Sequence, residues 1–580
     1  MLIAAVPLYV LLAGASPSVV RSGIMAMLGL AAARMHKLKD GLHLLAAAAL
    51  AMLAWDPYML GNVGFQLSFL GTAGLIFGVA PVRRCLPRGK HKWQASLLDL
   101  LTVTWVAQAV SLPLTLYYFN QLHLLSLLAN LILVPFISFL VMPLGGASML
   151  LDSMWHPAGV LAAHVASIGN ELTFAFVAKL SSWNSFRLIW ATPPLWWVIA
   201  CYAALMLAFS ALNRMYATPL ILQSEEEQEE EIRVRSDTQP LFAGQTTSFI
   251  QLDEDGSWFS KRMNGFQLLL SSIAFVVLLV WAYNPDVFNR HGYVQFIDVG
   301  QGDSILIRSA AGKNILIDGG GAVQFGNRES WRQRKDPYEV GQKLLLPLLS
   351  QRGVSHIDLL VLSHLDSDHI KGLQAIIASI PVKAILWNGT WKDSEDAIYM
   401  LRTALNKEIP LYPARAGLEW LIDKHTSISI LNTPVSASAR QAGSIPKEEE
   451  QNGQSVALRL RLYDRQFLFT GDADIAEEQH ILAELNQLVA PPIRPIDVMK
   501  ISHHGSKTST SEEWLSYWKP RTAVISVGRN NVYGHPADLV INRLAAAGIP
   551  VKRTDWGGEI QFRVSPNGTL AVKQKIPVHN

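Results

Sequence analysis

Ser363-His-Leu-Asp-Ser-Asp-His369 stands between two runs of different period. Before it, Ile357-Asp-Leu-Leu-Val-Leu362 is a short apolar run that reads as a buried strand. After it, Ile370-Lys-Gly-Leu-Gln-Ala-Ile-Ile377 has helical spacing. Two imidazoles and two carboxylates are therefore crowded into one strand-to-helix turn. His364, Asp366, Asp368 and His369 bring four potential ligands into six positions, a spacing suited to a divalent metal. The competing reading is a polar loop whose residues cap the following helix.

Three later stretches tip the balance. Phe467-Leu-Phe-Thr-Gly-Asp472 is a strand pattern running into a carboxylate, and Asp497-Val-Met-Lys-Ile-Ser-His503-His504 is one running into a histidine pair. Ile525-Ser-Val-Gly528 precedes Asn531-Val-Tyr-Gly-His535. A lone histidine past a strand is usually structural. Repeated strand ends that close on His or Asp are what a layered α/β fold uses to gather side chains into one site. Around them, Tyr293-Val-Gln-Phe-Ile-Asp-Val299, Ile305-Leu-Ile-Arg308 and Asn314-Ile-Leu-Ile317 read as strands joined by glycine turns. Interleaved helices and strands follow, which predicts an α/β domain over 290–580.

The rest of the 580-residue chain is different in kind. Half of all residues are hydrophobic and 16% are charged, but residues 1 to about 212 form a succession of apolar stretches. Spans are expected at 1–14, 20–33, 41–54, 64–80, 97–118, 124–150, 161–180 and 192–212, with another at 266–283. Pro135, Pro143 and Gly145-Gly146 mark 124–150 as a broken or re-entrant element. The N-terminus lacks a basic region and a cleavage site, so it reads as a span and not a signal peptide. Gln66, Ser68, Gln108 and Asn130 fall at bilayer depth, where unpaired amides are costly; they must meet other helices or an aqueous path.

Arg34, Lys37 and Lys39 cluster in one connection, and Arg83, Arg84, Arg88, Lys90 and Lys92 in the next but one. Arg214, Lys261 and Arg262 flank the later spans. Placing these on the cytoplasmic side requires no contradictory crossing, Arg187 being the mild exception, and sends the C-terminal domain to the outer side. Between 223 and 256, a run opening Gln-Ser-Glu-Glu-Glu has the composition of a solvated tether. The domain limits expected are thus a polytopic membrane domain at 1–215, an acidic linker at 216–262, a transmembrane helix at 263–285 and the α/β domain at 290–580. The net charge of +3 is too small to diagnose a nucleic-acid partner. Cys85 and Cys201 both lie in the apolar half, so neither a disulfide framework nor a cysteine metal site is available to the soluble half.

The order HxDxDH at 364–369, Gly471-Asp-Ala-Asp474, His503-His-Gly-Ser506 and a late histidine resembles the metallo-β-lactamase fold. More narrowly, Asp298-Val-Gly-Gln-Gly-Asp303, Ile317-Asp-Gly-Gly320 and Tyr533-Gly-His-Pro536 are similar to the C-terminal domain of ComEC-type DNA-uptake proteins. Gly14-Ala-Ser-Pro-Ser-Val-Val-Arg21, Gly64-Phe-Gln-Leu-Ser-Phe-Leu70 and Leu128-Ala-Asn-Leu-Ile-Leu-Val-Pro135 resemble that family's competence (channel) domain. The fold implied is an all-α polytopic membrane domain followed by an α/β (αββα) metallo-β-lactamase-like domain. Family members usually carry a soluble domain and further spans ahead of the Gly14 motif, so the chain resembles a shortened form. Asp366 stands where metallo-β-lactamase folds usually have a second histidine; a carboxylate there shifts preference toward Mn²⁺ or Mg²⁺ relative to Zn²⁺.

The resemblance implies two divalent metal ions (Mn, Mg or Zn). His364 and Asp366 would hold one with His503 or His504, His503 being the first choice. Asp368, His369 and His535 would hold the other, and Asp472 would bridge them, with Asp368 and Asp472 as the catalytic pair. Asp298, Asp303 and Asp318 would orient ligands or close turns; Lys500, Ser506 and Asn452 are candidates for supporting or phosphate contacts. Two cations about 3.5–4 Å apart can activate water and steady the leaving oxygen of a phosphodiester. The function implied is a multi-pass protein of the bacterial inner membrane for natural transformation. It would channel one DNA strand while an outer-facing nuclease degrades the other. DNA would be held by phosphate contacts without regard to sequence, with Arg529, Lys552 and Arg553 as basic candidates. Other competence proteins and a second copy of the chain are further expected partners. The rival readings are a channel with a silent metallo domain and a membrane-tethered phosphoesterase without transport.

Overall fold

The computed structural model describes residues 2–34, 40–87, 89–216, 254–286, 289–321, 338–434, 445–487, 495–529 and 531–577. Most of the expected acidic linker, together with Lys37, Lys39 and Arg88, lies outside these residues. The chain divides into two compact units, Met1–Tyr283 and Asn284–Asn580.

Among the described residues of the first unit, six helices have the length and apolarity to cross a bilayer: Val63–Cys85, Lys92–Phe119, Ser126–Met154, His156–Ser181, Leu195–Tyr216 and Arg262–Tyr283. Three stretches expected to span fall short of this. Leu2–Leu12 has 11 residues and Gly41–Trp55 has 15, and at 1.5 Å per residue neither covers the roughly 30 Å of hydrocarbon. Pro17–Arg34 is 18 residues long but carries Ser18, Arg21 and Ser22. The stretch at 124–150 differs from expectation in the opposite sense: it stays helical over Ser126–Met154. Between its two prolines, Ile137–Val141 opens into a π-helical turn, with the Met142 N–H reaching back to the Ile137 carbonyl. A wide turn of this kind absorbs the mismatch where proline withholds its donor.

Polar side chains in this unit find partners between helices. Tyr118 donates to Gln66 Oε1 at 2.8 Å, and Arg21 Nε donates to Ser68 Oγ at 2.6 Å. Asn130, Gln121, His123 and Arg187 line a cavity of about 750 Å³ beside a small hairpin of β1 (Gln121–His123) and β2 (Arg187–Ile189).

The second unit is a four-layer sandwich. One sheet has eight strands in the order β17-β16-β3-β4-β5-β6-β7-β8, and the other has seven in the order β15-β14-β13-β12-β11-β10-β9. In chain order these are β3 (Gly292–Phe296), β4 (Ile305–Arg308), β5 (Asn314–Ile317), β6 (Leu359–Val361), β7 (Ile385–Trp387), β8 (Leu411–Pro413), β9 (Glu419–Asp423) and β10 (Thr426–Ile430). There follow β11 (Leu458–Leu462), β12 (Arg465–Phe469), β13 (Val498–Lys500), β14 (Ala523–Ile525), β15 (Val551–Arg553), β16 (Ile560–Val564) and β17 (Leu570–Gln574).

Strand alternation assigns each side chain to a layer. Ile305 and Ile307 enter the core between the sheets with Phe467, Val498 and Phe562, while Leu306 turns outward. On that outer face, Leu306, Leu316, Leu360 and Ile385 pack under the helices around Leu349, Ile376 and Met400. On the other, Leu468, Met499 and Ile525 pack under Ile481, Trp514 and Leu544. Both sheets are covered on both faces, so their strands read as nearly continuous apolar runs. The parallel steps β5-β6-β7-β8 and β12-β13-β14-β15 leave strand ends facing the same way within each sheet. Loops following these strands carry the candidate ligands.

Candidate metal centre

The β6 strand ends at Val361 and delivers Ser363 and His364; the helical turn Ser367–Ile370 then presents Asp368 and His369. Asp366 is the residue before that turn, but its side chain makes no capping bond. The rival reading of a capping loop therefore fails where it was most plausible. The loop is pressed against its neighbours closely enough to demand glycine. A Cβ on Gly302, at φ +96°, would lie 1.7 Å from the Asp368 carbonyl oxygen. This is what the Asp298-Val-Gly-Gln-Gly-Asp303 stretch is for locally: Asp298 accepts the Gly300 N–H, and the glycines let the backbone pass under the ligand loop.

Asp472 follows β12, and His503 and His504 follow β13, both in the left-handed region at φ 48° and 52°. Three histidines are held by the same device. His369 Nδ1 lies 2.9 Å from Asp318 Oδ2, His504 Nδ1 lies 2.9 Å from the Ser526 carbonyl, and His364 Nδ1 lies 3.0 Å from Ser363 Oγ. Asp318 is itself fixed by the N–H and hydroxyl of Ser363. Each Nδ1 is thus tied back, and the Nε2 atoms of His364, His369 and His504 are buried with no hydrogen-bond partner. Such orphaned acceptors are costly in a dry interior unless something else meets them.

What they meet is a pair of carboxylates. Asp472 Oδ2 is 3.4 Å from both His369 Nε2 and His504 Nε2, and Asp368 Oδ2 is 3.7 Å from His504 Nε2. Two ligands each about 2.1 Å from one cation stand about 3.0–3.5 Å apart. Ligand atoms of His364, His369 and Asp472 fall within 4.8 Å of one another, as do those of Asp368, His369 and His504. The residues fit a divalent metal.

The electrostatics agree. Burial favours the neutral rings of His369 and His504, yet Asp472, helped by Asp318 for one and Asp368 for the other, holds both basicities above the ordinary histidine value. Burial should likewise raise Asp472, but His504, His369 and Lys500 draw it well below the usual carboxylate range. His364 goes the other way, kept neutral by burial and by the neighbouring His369. The centre is a sink for positive charge, and protons and metal ions compete for it.

The remaining candidates stand further out. Asp366 Oδ2 is 3.6 Å from His364 Nε2, while its Oδ1 receives Lys392 Nζ at 2.6 Å. His503 Nε2 is 4.0 Å from Asp472 Oδ2 and partly exposed. His535 lies beside it, ring centroids 5.6 Å apart, and stacks on Tyr533. Asp366, His503 and His535 belong to none of the tight groups found among the described residues. Asp303 comes closer than its sequence role suggests, but it approaches the Nδ1 atoms of His369 and His504, behind the orphaned Nε2 atoms. It also pairs with Lys500, which is fully buried and donates to the Gly471 carbonyl at 2.7 Å. Lys500 therefore braces the centre and cannot reach a phosphate in solution. Gln451 had no sequence signal: buried, it accepts the Leu365 N–H at 3.1 Å and Asn388 Nδ2 at 2.9 Å.

Comparison with known proteins defines the class. Residues 297–529 match the metallo-beta-lactamase superfamily, a metal-dependent hydrolase fold, and residues 1–215 match the family described as competence protein. The chain is a competence-protein domain joined to a metallo-β-lactamase domain, and a multi-pass membrane protein. It is 29% identical over 570 residues to "ComE operon protein 3" of Bacillus subtilis, covering 98% of this chain and 64% of that protein. To "Competence protein ComA" of Neisseria gonorrhoeae it is 28% identical, covering 91% and 60%. To "Recombination protein 2" of Haemophilus influenzae it is 26% identical, covering 88% and 56%. The chain thus spans 56–64% of the length of these relatives.

Proposed function

We propose that this is an inner-membrane DNA-uptake protein for natural transformation. The membrane unit passes one DNA strand, and the C-terminal unit, on the outer side, hydrolyses the other with divalent metal. One observation carries this reading. Three orphaned imidazole nitrogens converge on Asp368 and Asp472 in a chain that also has a competence-protein domain.

Asp368, His369, His504 and Asp472 form the better-furnished position, and His364 and Asp366 extend it through the shared Asp472. Bound divalent cations would lower the pKa of water and offset charge on the scissile phosphate. The chain's own groups do the rest. Asp318, Ser363 and the Ser526 carbonyl fix which nitrogen of each ring faces the centre, and Lys500 holds Asp303 and Asp472 in place. His503 and His535, at the more open edge, are placed to contact the substrate or move a proton to a departing oxygen.

The test uses the full chain purified in detergent, stripped of metal and given labelled single- or double-stranded DNA with Mn²⁺, Mg²⁺, Zn²⁺ or EDTA. Metal-dependent cleavage that falls to background in Asp368→Ala is expected. A folded wild-type chain that cleaves no DNA with any metal would overturn the nuclease reading and leave a channel with a silent domain.

A further inference from the structure

The two halves of the centre are unequally furnished. One side has Asp368, His369 and His504 around Asp472 Oδ2, with the Nε2 atoms of both histidines unpartnered. The other has His364, its Nε2 likewise unpartnered, and Asp366, whose Oδ1 is taken by a lysine. Lys392 Nζ sits 2.6 Å from Asp366 Oδ1.

This pairing is built into the fold. Lys392 lies on the loop after β7, and that loop is pinned at several points. Trp391 exchanges backbone bonds with the neighbouring segment, donating to the Pro446 carbonyl at 3.0 Å and accepting the Glu448 N–H at 2.9 Å. Asn388 folds back to accept the Thr390 N–H and hydroxyl. Gln451 ties Asn388 to the Leu365 N–H, so one buried amide locks the lysine loop to the ligand loop. Lys392 and Asp366 are both about one-quarter exposed, so the pair is only partly screened by water.

We infer that Lys392 is a tethered counter-ion standing in for one of two divalent cations, so that the centre binds one ion tightly and a second weakly. The inference rests on the metal reading given under Proposed function. Asp366 Oδ2 still faces His364 Nε2 at 3.6 Å, so the second position persists. It persists with one carboxylate oxygen engaged and a fixed positive charge alongside, which disfavours a further dication. A phosphodiester would supply the missing negative charge, and the second ion would then arrive with the substrate.

The experiment measures metal binding directly. The metal-free full chain in detergent is titrated with Mn²⁺; bound ions per chain are counted by elemental analysis, and electron paramagnetic resonance reports coupled ion pairs. In the wild type, one tight and one weak ion are expected. Lys392→Met should strengthen the weak one about tenfold or more and bring in the coupled-pair signal at lower Mn²⁺. Lys392→Arg keeps the charge and should keep the separation. Two ions of equal affinity in the wild type, or a second affinity unmoved in Lys392→Met, would overturn the inference while leaving the metal reading intact. No bound ion in any of the three proteins would remove the metal reading itself, and this inference with it.

Discussion

The membrane unit and the metallo-β-lactamase unit obey one rule with opposite outcomes. In the second, large apolar side chains such as Phe467, Phe562 and Trp514 are fully buried between layers. In the first, Phe139 is 82% exposed, Leu150 71% and Phe174 66%. There the outward face is the apolar one, and polar groups turn inward to Gln66–Tyr118 and Arg21–Ser68 pairs. Apolar surface goes wherever water is not, and polar groups go wherever a partner is. The membrane unit does bury apolar clusters around Val106, Leu116 and Trp197, but unlike the other unit it leaves its outward face apolar as well.

Substitution of matched phenylalanines is the sharpest way to break that contrast. Phe467→Ala opens a cavity between the two sheets and should cost about 3–5 kcal/mol. Phe139→Ala, which trades protein-free apolar surface against lipid, should cost less than about 1 kcal/mol. Thermal unfolding of both variants in detergent checks this; equal losses would sink the contrast. A smaller effect is expected at the buried polar layer beneath the metal centre. Asp318→Asn leaves His369 without its carboxylate partner and should weaken metal binding by about 10–100-fold, read by competition with a chelating dye. Least is expected of the interhelical polar pair. Gln66→Ala should destabilise the membrane unit by about 0.6 kcal/mol, because hydrogen bonds between helices find substitutes in the bilayer. A loss of several kcal/mol would show instead that Gln66 anchors that unit's fold.

That His364, Asp368, His369, Asp472 and His504 come together was legible because each lies in a loop or turn that follows a strand end, and strand ends are where this architecture gathers side chains. The alternation of layers was legible for the same reason, through continuous apolar runs such as Leu359–Val361. Lys392 and Gln451 were not: they reach the centre from loops about 30 and 90 residues downstream, nothing local to Trp391-Lys392-Asp393 signals it, and the candidate read from the second loop was Asn452, the neighbour of Gln451. The sequence names the histidine pair, with His503 as first choice, but does not settle between its members. The choice depends on backbone direction, and the structure turns His504 into the tight groups and His503 toward the edge. Among the first three expected spans, Leu2–Leu12 and Gly41–Trp55 lack the length of the six long helices, and Pro17–Arg34 has the length but carries Ser18, Arg21 and Ser22.

The histidine pair carries one more consequence, for how this centre can change over generations. Two successive non-glycine residues in the left-handed region, at φ 48° and 52°, occupy a conformation that histidine and asparagine tolerate and β-branched residues do not. Selection at 503 and 504 is therefore filtered by backbone shape before any chemistry is weighed. Of the alternatives that remain, few side chains can also bind a cation. His504 is locked in twice over, by backbone shape and by the tight groups it joins, whereas His503 is held by shape alone.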